Sequence, residues 1–182
     1  MIDERLDIAL LSAVAAEHAD WQFVMVGPVV KIDPETLPKA PNIHYVGQQP
    51  YVELPAFLAG WDVAVLPFAH NESTRYISPT KTPEYLAAGV PVVSTSIRDV
   101  VRPYGELHLV RIADDGREFS NAIEQALEER NDPQRRSEWL KRVDEFLKDK
   151  SWERTWTRMM TLLDSAIANR AYEPLSRSES NR

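Results

Sequence analysis

Residues 78–95 read SPTKTPEYLAAGVPVVST. Prolines 79 and 83 follow Ser78 and Thr82, and each pair has the form of a helix cap plus first helical residue, so a helix is expected to begin at one of them. Gly89 ends it, because glycine suits the left-handed conformation common just past a helix terminus. Pro91 blocks resumption, and Val90 to Val93 is apolar on consecutive rather than alternate residues, running into Ser94 and Thr95. A strand of that kind is buried on both faces, which places it in a parallel sheet with helices on either side.

The same alternation of strand and helix extends in both directions. Towards the amino terminus, Leu6, Leu10, Leu11, Val14 and Ala15 have helical spacing and QFVMVG (22–27) is a short buried strand. A proline-punctuated loop from Pro28 to Pro41 leads to IHYVG (43–47), a short helix around Pro55 to Leu58, and DVAVLPF (62–68). Towards the carboxyl terminus LHLVRI (107–112) is a further strand. Phe119, Ile123, Ala126 and Leu127 mark one helical face, and Trp139, Leu140, Val143, Phe146 and Leu147 another behind Asp132-Pro133. Ser151 is read as the cap of a last helix with the stripe Trp152, Trp156, Met159, Met160, Leu163 and Ile167. The fold class is a doubly wound α/β domain over residues 1–150, with a carboxyl-terminal helix over 151–172 and a polar tail over 173–182 expected to be disordered.

Composition narrows the function classes. The 182 residues are 43% hydrophobic, enough for a sizeable core. A net charge of −7 with scattered Lys and Arg argues against nucleic acid as a partner. The absence of cysteine excludes disulfides and thiol catalysis and fits a reducing compartment. His18, His44, His70 and His108 are too widely spaced for a metal-ligand motif, and Asp114-Asp115-Gly116 reads as a turn and helix start. No apolar run approaches the roughly 20 residues of a membrane span, so the chain reads as soluble and cytoplasmic. Neither a P-loop nor a GxGxxG fingerprint is present, which argues against an ATPase or a dinucleotide oxidoreductase.

In a doubly wound sheet ligands bind beyond the carboxyl ends of the strands. The loops after Gly27, after Gly47 and from Pro67 to Ser78 open there, and the third enters the helix of 78–95. Lys81 supplies a positive charge with three donors, suited to a phosphate. The carboxylate of Glu84, beside it, can accept from two vicinal hydroxyls, as on a ribose. Together they suggest a nucleotide; an ordinary surface ion pair three residues apart is the competing reading.

PTKTPEYLAAGVPVVST resembles the nucleotide-sugar segment of GT-B glycosyltransferases of the bacterial group 1 type. WQFVMVGP, PNIHYVGQQPYVELPAFLAGWDVAVLPF and the SWERTWTRMM helix are similar to that family's second, Rossmann-like half, and the likeness runs over residues 1 to 172. It implies that Glu84 holds the donor's ribose and that Lys81, Thr80 and Ser78 face the diphosphate. Arg5 matches a basic residue of the first strand-to-helix loop, and Gln48 and Tyr51 would border the base. Many relatives carry a sugar-contacting glutamate where this chain has Tyr76; Arg75, Glu72 or Asn71 would have to replace it. The donor implied is a nucleoside-diphosphate sugar, UDP-linked first, with no cofactor and no metal.

The family has two such domains, with the acceptor and the residues nearest the attacking hydroxyl on the first. This chain is expected to hold only the second, with its first strand truncated, so no catalytic residue is assigned and the chain alone is expected to be inactive. The last helix would pack on the amino-terminal domain. With that domain absent, its apolar face offers a route to self-association, and Arg135, Arg136 and Lys141 a route to peripheral association with a membrane. A GT-B sugar-nucleotide epimerase and a non-catalytic nucleotide- or protein-binding module are the alternative readings.

Overall fold

The computed structural model describes residues 1–150 and 152–171. The expected Ser151 cap and the 173–182 tail lie outside the described residues. Its internal contacts divide the chain between Val143 and Asp144.

In the first unit, helix α1 (Ile8–Glu17) starts where the Asp7 carboxylate accepts the Leu10 N–H at 2.8 Å. It buries Leu10, Leu11, Val14 and Ala15. These pack against α5 (Gly116–Asn131), whose buried face is Phe119, Ala122, Ile123 and Ala126, in one cluster with Phe23, Ile43 and Val93. The end of α1 is closed by a residue distant in sequence. Buried Asn42 donates to the carbonyl oxygens of Ala15 and His18 at 3.0 Å and of Trp21 at 3.1 Å, satisfying acceptors that the helix itself leaves over.

The strands are all parallel but lie in two ladders rather than one continuous sheet. Strands β1 (Phe23–Val26) and β2 (Ile43–Gly47) form one; β3 (Ala64–Leu66), β4 (Val92–Ser94) and β5 (Val110–Ile112) form the other, with β4 central. Between them in sequence lie α2 (Leu54–Gly60), α3 (Lys81–Ala87) and a short turn α4 (Arg98–Val100), followed after a kink at extended Arg102 by a further turn to Gly105, neither of them in the sequence reading. The α/β class therefore stands.

Two details of the 78–95 segment differ from expectation. Helix α3 begins at Lys81, after Thr80, so neither Ser78 nor Thr82 caps it and no side chain bonds its first N–H groups. Pro83 is accommodated in the first turn, where its missing N–H would have had no helical partner. The carboxyl end matches expectation. Gly89 has φ +70°, its N–H donates to Leu86 O at 2.9 Å and the Val90 N–H to Tyr85 O at 3.1 Å, the paired bonds of a Schellman motif.

Helix α6 (Pro133–Leu147) begins at Asp132, whose carboxylate accepts the Gln134 and Arg135 N–H groups, and buries Trp139 and Val143. In the second unit, α7 (Trp152–Ala171) carries Trp156, Met159, Met160, Leu163 and Ile167 as an exposed apolar stripe. No helix among the described residues is long and apolar enough to cross a membrane.

Candidate functional site

Within each ladder the strands run the same way, and the loops after β1, β2 and β3 meet at one cavity. They open onto a cavity of about 1060 Å³ lined by Gly27 and Pro28, by Gln48 and Gln49, and by Pro67 and Phe68. Arg5, Thr80, Lys81, Glu84 and Tyr85 complete the rim. Five of the eleven residues singled out from the sequence, Arg5, Gln48, Thr80, Lys81 and Glu84, therefore share one cavity. Ser78, Arg75, Tyr76, Tyr51, Glu72 and Asn71 do not line it. Tyr51 and Tyr76 are solvent-exposed, and the Arg75 guanidinium lies 5.2 Å from the Tyr76 ring centroid while pairing with Glu72 at 3.4 Å.

Lys81 Nζ donates to Glu84 Oε2 at 2.7 Å, and both side chains are about half exposed, at 47% each. An ion pair of this kind, three residues apart on a short helix, is worth only about 0.2 to 0.5 kcal/mol, so either member is readily released to a ligand. The other cation is held differently. Asp3 is 3% exposed and receives Arg5 Nε at 2.8 Å and Nη2 at 2.6 Å. The Arg5 guanidinium holds the Asp3 carboxyl below the usual carboxylate range, and Asp3 in turn raises Arg5. These bonds occupy one edge of the fork and leave Nη1 outside the pairing. Among the side chains of this rim two cations, Arg5 and Lys81, stand against two carboxylates, Asp3 and Glu84; Asp20 and Asp62, which also line the cavity, stand before β1 and β3 at the strands' amino ends.

The 69–76 loop is tied to the same segment. The Ala69 N–H donates to Arg5 O at 2.8 Å and Asn71 Nδ2 to Glu4 O at 2.7 Å, so the Asn71 side chain is already engaged. His70 is exposed and its Nε2 lies 3.0 Å from Asp114 Oδ1, which also accepts the Ser96 N–H at 2.7 Å. Burial pushes the Asp114 carboxyl up, but the bonds from Ser96 and His70 outweigh it and leave the pKa lowered.

Tyr85 and Asp3 were missed in the sequence. Tyr85 meets Trp61 edge-on, with ring centroids 5.8 Å apart, and burial, with a smaller push from the Glu84 charge, raises its phenol to about 12. Its position next to Glu84 was the available signal. For Asp3 the signal was an opposite charge two residues from Arg5. Thr82 is fully buried and its Oγ1 has no hydrogen-bond partner, one residue from Lys81. Among the described residues no cluster of His, Asp or Glu could hold a metal ion.

A family model described as glycosyl transferases group 1 matches residues 6–129, more than half of the chain. A curated relative, the putative teichuronic acid biosynthesis glycosyltransferase TuaH of Bacillus subtilis (strain 168), is 29% identical over 99 residues, which is 53% of this chain and 25% of that protein. Among solved structures, an alpha,alpha-trehalose 6-phosphate synthase from Burkholderia multivorans matches with a TM-score of 0.62 at 17% identity, over 100% of this chain and 44% of that one. WaaG, a glycosyltransferase involved in lipopolysaccharide biosynthesis, matches with a TM-score of 0.53 at 15% identity, over 78% of this chain and 38% of that one. The chain thus spans a quarter of the curated relative and less than half of these structures, and its α/β fold is similar to that of GT-B glycosyltransferase domains. The family match covers α1 through most of α5, including every residue of the cavity rim from Leu6 onward, and on that match the chain belongs to the group 1 glycosyl transferases.

Proposed function

We propose that this chain is the donor-binding half of a glycosyltransferase that passes a hexose from a nucleoside diphosphate, UDP first, to an acceptor held by an amino-terminal partner domain. The observation that carries the reading is the gathering of Arg5, Gln48, Thr80, Lys81 and Glu84 around one cavity at the carboxyl ends of parallel strands. Within it, Glu84 accepts from the ribose hydroxyls once Lys81 has turned from Glu84 towards the diphosphate. Lys81 and the free edge of Arg5 then neutralise charge as it develops on the leaving diphosphate, a role that needs no metal. Helix α3 is only seven residues long, so the side-chain charges rather than its dipole carry the electrostatics. The teichuronic acid and lipopolysaccharide roles named for two similar proteins favour cell-surface polysaccharide as the product class.

The test is a thermal-shift titration with UDP, GDP, ADP and dTDP on the native chain and on Glu84→Ala. A diphosphate present at about 100 times its Kd is expected to stabilise the native chain by roughly 2.7 kcal/mol, and the substitution to weaken the response. No shift with any of the four at millimolar concentration would sink the reading and leave Lys81 and Glu84 as the surface pair that their 2.7 Å contact describes.

A further inference from the structure

A polar cluster outside the cavity stands at the carboxyl ends of the three-stranded ladder. His70 follows β3, Ser96 follows β4 and Asp114 follows β5, and the carboxylate ties the three loops together. Asp114 Oδ1 accepts the Ser96 N–H at 2.7 Å and lies 3.0 Å from His70 Nε2. The backbone on both sides of the histidine is fixed as well. The Ala69 N–H rests on Arg5 O; the Asn71 N–H donates to Thr74 Oγ1 at 3.0 Å, the Thr74 N–H returns to Asn71 Oδ1 at 3.2 Å, and Thr74 is 3% exposed. The imidazole so constrained is nevertheless open to solvent, its side chain 52% exposed.

Asp114 decides which ring nitrogen is available. Its carboxyl is held below the usual range, so at neutral pH it is ionised and can only accept. In the neutral ring Nε2 therefore carries the hydrogen and Nδ1 the lone pair, and among the described residues none bonds to Nδ1. The nearby carboxylate disfavours an anion here and leaves a neutral donor, such as a hydroxyl, as the fitting partner. His70 does not line the cavity, but it stands two residues past Phe68, which does, and beside Ala69, which is bonded to Arg5 at the rim. A sugar on a diphosphate held by Arg5 and Lys81 extends outward from that rim. We propose that His70, oriented by Asp114, is a carbohydrate contact whose Nδ1 accepts the hydrogen of a sugar hydroxyl beside the cavity. The inference rests on the donor-site reading of that cavity. The sugar is the hexose that leaves the diphosphate or the glycan that receives it, and both present the same hydroxyl chemistry. Asp114 touches no ligand in this scheme and is a positioning residue.

Nitrogen NMR of the labelled imidazoles in the 182-residue chain, joined to isothermal titration, tests it. His70 is expected in the Nε2–H tautomer, and Asp114→Ala is expected to lose that preference. UDP-glucose, UDP-galactose and GDP-mannose are each compared with their own diphosphate, and methyl glucoside serves as the acceptor probe. If the donor's hexose is the ligand, one of the three shifts the Nδ1 signal where its diphosphate does not, and binds about fivefold more tightly than the diphosphate, the gain of one neutral hydrogen bond. His70→Ala should bring that ratio to about one, and His70→Asn, whose Oδ1 restores an acceptor, should keep part of it. A Nδ1 shift with methyl glucoside instead assigns the contact to the acceptor. A histidine that only braces its loop predicts that His70→Ala weakens diphosphate and sugar conjugate by the same factor, and that result overturns the proposal. So does an Nδ1–H tautomer, or a Nδ1 signal that no sugar probe moves. No binding of UDP, GDP, ADP or dTDP overturns the donor-site reading, and this inference with it.

Discussion

Strands β4 and β1 are both short and apolar, yet they sit in different environments. In β4, Val92, Val93 and Ser94 are all buried; in β1 only Phe23 is, and Val24 to Val26 are half-buried. Strand β4 has a hydrogen-bonded neighbour on each side, whereas β1 has β2 alone. Burial in a parallel sheet comes from flanking strands as well as from covering helices. A run of consecutive valines consequently reports what a strand is suited to, and its neighbours decide how much of that suitability is used. The half with three strands should carry most of the stability.

The largest expected effect follows from that asymmetry. Trp139, on α6, is 1% exposed and donates its indole N–H to Leu109 O at 3.2 Å, just before β5. Trp139→Ala is expected to cost about 3 to 5 kcal/mol, while Val24→Ala, on the half-buried strand, should cost about 1 kcal/mol or less. Urea denaturation of the two variants measures both. Comparable losses would mean that the β1 ladder is packed as tightly as β4 and would erase the distinction.

The next effect tests how the amino-terminal segment is anchored. Removing the Asp3 charge with Asp3→Asn leaves the Arg5 guanidinium without its buried partner, for an expected loss of roughly 1.5 to 3 kcal/mol. The pH dependence has a definite sign. Asp3 and Asp114 both have folded-state pKa values below their ordinary ones, so their contribution is fully present above about pH 4, the unfolded carboxylate range, and is lost as pH falls through the folded values. Stability measured from pH 6 down to pH 2 should therefore fall less steeply in Asp3→Asn than in the native chain. An unchanged slope would show that the pair contributes nothing to acid sensitivity.

Much of this was legible in the sequence because it depends on local pattern. The IHYVG strand at 43–47, the Asp132 cap and the glycine stop at Gly89 each follow from a few adjacent residues, and the structure has all three. What was not legible depends on partners distant in the chain. Consecutive apolar strands predict parallel pairing but not its interruption between β1 and β3, since periodicity says nothing of which edges meet. The two turns from Arg98 to Gly105 are broken by a kink at Arg102, ahead of Pro103, and lack a clear apolar stripe, so nothing in them argued for helix. At the site, Lys81 and Glu84 were visible from their chemistry and spacing. Arg5 came from the family resemblance; for its partner Asp3 the sequence offered only an opposite charge two residues away, and its burial came with the fold.

The smallest stability effect separates the two ways in which a charge is held at the cavity rim. Arg5 is fixed by a buried carboxylate, whereas Lys81 is paired across one turn of an exposed helix. Lys81→Ala should therefore leave stability within about 0.5 kcal/mol of the native chain, because the pair it removes is solvent-screened and α3 has no other use for the charge. If the rim takes a diphosphate, the same substitution should still weaken that binding by roughly tenfold or more, the loss of one charge-assisted hydrogen bond of about 1.5 to 3 kcal/mol. Isothermal titration with the diphosphate that responds in the thermal-shift series, alongside urea denaturation, measures the two effects separately. Unchanged affinity would assign the phosphate contact to Arg5 alone; a large loss of stability would show that the Lys81–Glu84 pair, despite its exposure, holds the start of α3 in place.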